Sequence, residues 1–263
     1  MTAPRPEPAP SRPEPPPPQP VPAADPLPIL LGAVADDLRE LARLHDAEPD
    51  RELLRALGEV EFPSNLGLRL VSPRGRDARA LMRRALAELP DPVDEATLDA
   101  LAADFAAIYL HGGLHASPYE SAWLDDDGLV CQEPMLEVRA WYRGHGLAVE
   151  NWRKRPDDHL AYELEFLAHL LAESRPPDAL RAAARFADEH LLRWLPDFAE
   201  RVAARCATPF FAGVALLSAA YVDELRDLLA ELLGEPRPAR AEVEERLRAA
   251  RAAPLCPGRC GPT

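Results

Sequence analysis

Pro156-Asp157-Asp158-His159-Leu160-Ala161-Tyr162-Glu163-Leu164-Glu165-Phe166-Leu167-Ala168-His169-Leu170-Leu171 is the stretch that decides the fold class. Leu160, Leu164, Leu167 and Leu171 recur at three- and four-residue steps, which puts them in one stripe along a helix. Asp157 or Asp158, just after Pro156, can accept from the free N–H groups of the first turn, so a long helix is expected to start here. Upstream, Leu30, Leu31, Val34, Leu38, Leu41 and Leu44 follow the same rule from Ile29 on, and shorter helical segments are expected at about 50–58 and 76–89. Asp94 is a plausible N-cap for a helix carrying Leu98, Leu101, Phe105, Ile108 and Tyr109, stopped by Gly112 and Gly113. Pro134 opens another helix that ends at Gly144. Downstream, helical stretches are expected at about 177–193, 196–206 and 209–233. No run alternates as a strand does, and no repeat is visible. The expected fold is all-α, a helical bundle, with a polar connector at 144–156 that could hinge lobes at about 29–150 and 157–235.

The ends differ from this body. Of 30 prolines, 13 fall in the first 28 residues, which contain little to bury and are expected to be a disordered Pro-rich leader. Residues 236–263 form a basic tail, expected to be partly helical or disordered. Two Arg against three acids in the leader, and six Arg against three acids in the tail, leave −16 on residues 29–235 within a net −14. So acidic a body disfavours nucleic acid, whose phosphates demand Lys and Arg, and suits a basic partner. The longest nearly apolar stretch, Phe210 to Val222, is shorter than the ~20 residues of a membrane-spanning helix, and no signal-peptide pattern opens the chain. A cytoplasmic protein without membrane insertion is expected. Four cysteines lack a framework spacing; the pair Cys256 and Cys260 has no second pair beside it to complete a zinc site, so no metal or other cofactor is expected.

Phosphate loops, nucleophile elbows and paired zinc-binding histidines are missing. Two groups of residues carry the chemistry that remains. Pro156, Asp157, Asp158 and His159 form a polar corner at a helix start, where capping accounts for one carboxylate but not for His159. A cationic His is unfavourable there, so a neutral, hydrogen-bonding ring is expected. Phe105, Ile108 and Tyr109 form an aromatic and aliphatic helix face, for which a core role is the plainer reading, and Tyr119 and Trp123 add large amphipathic rings in a loop. A groove with an apolar wall and a polar end is an ordinary peptide site.

The run Pro156 to Leu167 resembles the P-x-D-H-x-x-x-E-L motif of the TorD/DmsD family of molybdoenzyme maturation chaperones, to which NarJ-type chaperones are related. Phe105-x-x-Ile108-Tyr109, Pro118-Tyr119-Glu120-Ser121-x-Trp123 and His190-Leu191-x-x-Trp194-Leu195-Pro196 resemble three further family features in the same order. Tyr109 stands where Phe is commoner, and Ala161 where Gly is frequent. The resemblance implies an all-helical binding protein, not an enzyme. Its partner would be the twin-arginine signal peptide or apoprotein of a molybdopterin oxidoreductase precursor, held back from export until the cofactor is inserted. The implied peptide-binding residues are Phe105, Ile108, Tyr109, Tyr119, Trp123, Pro156, Asp158 and His159, with Asp158 and the acidic body attracting the arginine pair. A homodimer formed by lobe exchange is left open. The competing reading is a helical metal-dependent hydrolase using Asp157, Asp158, His159 and His169.

Overall fold

In the computed structural model, which describes residues 26–173 and 177–252, the bundle is built from helices joined by short turns. They are α1 (Pro26–Asp46), α2 (Arg51–Glu59), α3 (Pro73–Ala87), α4 (Glu95–Phe105), the single turn α5 (Ser121–Leu124) and α6 (Glu133–Gly144), followed by α7 (Leu160–Glu173), α8 (Asp178–Phe186), α9 (Leu192–Arg205), α10 (Pro209–Leu233) and α11 (Arg240–Ala252). Apart from one isolated bridge between Tyr119 and His159, no strand occurs among the described residues. The first helix starts at Pro26, so Pro26, Leu27 and Pro28 belong to the body and not to the leader. Most of the leader, and Cys256 and Cys260, lie outside the described residues.

Local chemistry accounts for most helix ends. Asp50, Ser72 and Asp94 each accept from a backbone N–H three residues on, and Gly234 ends α10 in the left-handed conformation. Asp50→Ala is expected to lower stability by about 1 kcal/mol, the usual value of such a cap, read as a shift in the urea midpoint with an unchanged slope. Two helices do not end where periodicity says. After Phe105 the chain widens into a π-turn at Ala106–Leu110, and after Phe186 into a second at Ala187–Leu191. From that second turn the helix continues as α9 through Pro196, where a break was expected. Leu192, four residues before Pro196, directly follows the π-turn, which is where a helix can absorb a missing N–H.

α1 lies along α7, while α10 packs against α9 and α3 and also meets α4 and α8. Segments on the two sides of residues 144–156 therefore share one buried core, running from Leu31 and Leu38 through Leu164 and Phe186 to Trp194, Phe211 and Tyr221. Carboxylates staple this core across long stretches of chain. Asp37 accepts from the N–H groups of Gly67 and Leu68 and from the Tyr221 hydroxyl. Asp104 accepts from the Ala207 and Thr208 N–H groups at the start of α10, and Glu224 from those of Val71 and Ser72 at the start of α3. A share of the acidic excess thus satisfies free helix-start donors inside the body. No described helix is long and apolar enough to cross a membrane.

Candidate functional site

The loop before α5 docks on the corner before α7. Glu120 N–H donates to the Asp158 carbonyl at 3.0 Å, and Leu160 N–H to the Pro118 carbonyl at 2.9 Å. This pairing lays Tyr119 beside His159, with ring centroids 5.2 Å apart and nearly perpendicular. The start of α7 is capped by the histidine and not by either aspartate: His159 Nδ1 accepts from Ala161 N–H at 3.2 Å, and its carbonyl takes the N–H groups of Tyr162 and Glu163. Burial and the nearby Arg155 hold the ring well below its ordinary pKa, so it is neutral and its Nδ1 is free to accept. That agrees with the neutral His159 expected from the helix dipole, and it corrects the expectation that an aspartate does the capping.

Both aspartates face elsewhere. Asp157 pairs with Arg139 on α6 at 2.9 Å. Asp158 is fully buried, and its Oδ2 accepts from the backbone N–H and the hydroxyl of Ser121 at 2.8 and 2.5 Å. The Ser121 hydroxyl oxygen in turn accepts from Cys131 N–H. Burial pushes the Asp158 carboxyl up to about 6, against the opposing pull of the Ser121 bonds. Asp158 therefore clamps the loop to the corner through Oδ2, while its Oδ1 is buried without a hydrogen-bond partner among the described residues. Asp157, Asp158 and His159 each have separate partners, and among the described residues no three His, Cys, Asp or Glu side chains are grouped to hold a metal ion. That arrangement gives the metal-hydrolase reading nothing to converge on.

Beneath the corner runs a directed hydrogen-bond chain. Ser218 on α10 donates to the Val214 carbonyl, so its oxygen accepts from His45 Nε2 at 2.9 Å; His45 Nδ1 then accepts from the Tyr109 hydroxyl at 2.6 Å. Burial alone lowers His45 to about 3, which keeps it neutral. The π-turn brings Tyr109 into this chain, with the Phe105 ring tilted against it at 4.8 Å and His159 at 6.3 Å. Phe105, Ile108 and Tyr109 are all buried and belong to the hydrophobic core beneath the corner. Tyr119 and Pro156 are half-buried at its surface. Trp123 is engaged elsewhere: its indole N–H donates to the Ser117 carbonyl, its ring meets Phe198, and Arg201 lies over it at 4.3 Å.

Behind the loop lies a buried acid cluster whose pairing sequence reasoning missed. Glu120 meets His190 Nδ1 at 2.9 Å and Arg193 at 3.9 Å, and Glu163 accepts from Trp194 Nε1 at 3.2 Å. Burial, together with the charges of Glu120 and Asp158, pushes Glu163 well above the carboxylate range, so it is the protonated member. His45 and Ser218 were also missed. The available signal was a polar residue in an apolar pattern: His45 continues the spacing of Val34, Leu38 and Leu41, and Ser218 interrupts the run Phe210 to Val222.

Exposed apolar side chains edge the corner. Trp152 stacks on Arg139 at 4.4 Å, and Leu129 and Val130 lead into Cys131 beside Ser121. A hollow of 260 Å³, lined in part by Tyr142, Leu147, Val149, Tyr162 and Phe166, opens one turn along α7 from His159. Such a surface, apolar with acids close by, is suited to binding a peptide and holds no assembled catalytic set.

Known proteins are similar to this chain over much of its length. The nitrate reductase delta subunit family matches residues 76–200. A chaperone protein TorD of Vibrio cholerae is 34% identical over 205 residues, covering 75% of this chain and 86% of its own. One of Aliivibrio fischeri is 30% identical over 185 residues, covering 66% and 84%, and one of Vibrio vulnificus is 39% identical over a shorter 111 residues. With a helical fold and this similarity over three quarters of its length, the chain belongs to the TorD family of chaperones, a family of binding proteins and not of enzymes.

Proposed function

We propose that this chaperone acts in molybdoenzyme maturation in the cytoplasm, binding the twin-arginine leader of a molybdopterin oxidoreductase precursor and holding it until cofactor insertion is complete. The observation that carries the reading is the docked corner. Loop and helix start are pinned together by Asp158, and beside them stand half-buried Tyr119, exposed Trp152 and an apolar hollow of 260 Å³. The leader's hydrophobic stretch would lie across Tyr119, Trp152 and the hollow. Its arginines would meet exposed acids near the loop, such as Asp126, Asp127 and Glu133, because Asp158 is committed to Ser121.

Calorimetric titration with a synthetic twin-arginine leader tests this. Micromolar binding is expected, weakening as salt screens the arginine contacts. Tyr119→Ala and Trp152→Ser should each lower affinity roughly tenfold, equivalent to about 1.4 kcal/mol. Asp158→Asn should weaken binding by loosening the loop. No heat at any salt concentration, or affinity unchanged in all three variants, would remove the corner as the binding site.

A further inference from the structure

The tail after α10 returns to the body. α11 packs on the π-turn Ala187–Leu191, immediately behind the loop and acid cluster of the site. Its hold is largely ionic. Among its described side chains Val243 is the one buried apolar group, whereas Arg246 reaches Glu189 at 3.1 Å and Arg251 makes a two-pronged pair with Glu137 on α6 at 2.6 and 2.7 Å. The field of Arg251 also couples to Glu133 and to buried Glu120. These acids run from the edge of α6 beside the Leu129–Val130 rim to the partner of His190. Both arginines face solvent on one side, which leaves the pairs open to screening by salt, while Glu189 and Glu137 are more enclosed and Glu189 is shared with Arg185 at 2.9 Å.

We propose that α11 is an internal competitor: its Arg246 and Arg251 occupy the acidic strip along α6 and the π-turn, and an arginine-bearing client segment displaces them on binding. This rests on the leader-binding reading above and adds a control to it. Empty chaperone keeps its acids neutralised, and only a segment that supplies arginines of its own, together with apolar contact at the corner, replaces the strap. Low-affinity basic peptides are thereby excluded, because the strap already satisfies the charge they would offer.

The test compares two full-length variants of equal charge. Arg246→Gln with Arg251→Gln releases the strap. Arg240→Gln with Arg248→Gln removes the same charge from arginines that, among the described residues, pair within α11, with Glu244 and Glu245. Titration with the synthetic twin-arginine leader should give roughly threefold to tenfold tighter binding for the first variant than for the second. In the wild type, the leader should raise amide exchange in α11. Equal affinity of the two variants, or α11 exchange unchanged by bound leader, would overturn the competitor and leave the leader-binding reading standing. No binding by any of the three proteins would overturn both.

Discussion

Replacing Trp194 by alanine is expected to cost about 4 kcal/mol, the middle of the range for removing a buried aromatic ring. The indole is fully buried, lies 5.7 Å from Phe198 centroid to centroid, and gives its one N–H to Glu163. Its removal opens a cavity beneath the acid cluster and takes away the Glu163 donor. Trp194→Phe separates these effects, since it keeps most of the ring volume and loses only the N–H. Because Glu163 is held protonated, losing that donor leaves no bare anion behind, and the Phe variant should lose about half as much as alanine or less. Urea unfolding of the three proteins at pH 7 decides it. If Phe is as costly as alanine, the hydrogen bond to Glu163 and not the packing holds this part of the core.

Between pH 7 and pH 5, His45 is expected to withdraw about 2 kcal/mol of stability. Its folded-state pKa is about 3, below the ordinary 6.5, so the unfolded chain takes up the proton first and stability falls as pH drops through the window between them. His159, held neutral at the helix start, acts in the same direction. Asp158 acts oppositely: its folded pKa is raised from 3.8 to about 6, so acidification through that window favours the folded form. Glu163 is raised as well and has the same sign. The wild-type profile is therefore flatter than either set alone would make it. His45→Gln isolates one contribution, since glutamine can still donate to Ser218 and accept from Tyr109 without titrating. Whatever the variant loses at pH 7, the gap between the two proteins is expected to narrow by about 2 kcal/mol at pH 5. A gap independent of pH would show that His45 is not the group being protonated on unfolding.

The helices were legible because their signals are local. The leucine stripes of α1 and α7, the Asp94 cap and the proline that opens α6 act within one or two turns of the residues they organise. The two π-turns were not legible, because a widened turn leaves the apolar spacing nearly intact while changing which neighbour a side chain such as Tyr109 reaches. At the site, the resemblance pointed to Asp158 and His159 at the helix start and to Tyr119 in the loop, and the structure lays Tyr119 against His159 and ties Asp158 to Ser121. Their roles came out differently. The nearest carboxylates looked like caps by proximity, yet Asp157 and Asp158 are drawn to Arg139 and Ser121, 18 and 37 residues away, and the cap falls to the imidazole. Trp123 was grouped with Tyr119 by closeness in sequence, but the helical turn between them directs it to Phe198 and Arg201. His45 and Ser218, 173 residues apart, could be recognised as polar exceptions but not as a pair.

The carboxylate staples have a bearing on how the molecule is made. Asp37 waits for Tyr221, the start of α3 for Glu224, and Asp104 for the start of α10, closures over 184, 152 and 104 residues. α1 finds its principal neighbour only when α7 exists. Local helices can form as the chain leaves the ribosome, but the contacts that bury them belong to residues translated much later, and loop-closure entropy delays such pairings further. Until α7 and α10 have emerged, the amino-terminal helices therefore carry apolar stripes with their main neighbours missing. A chaperone passes through an exposed condition of its own, and the arrival of α10 covers much of it.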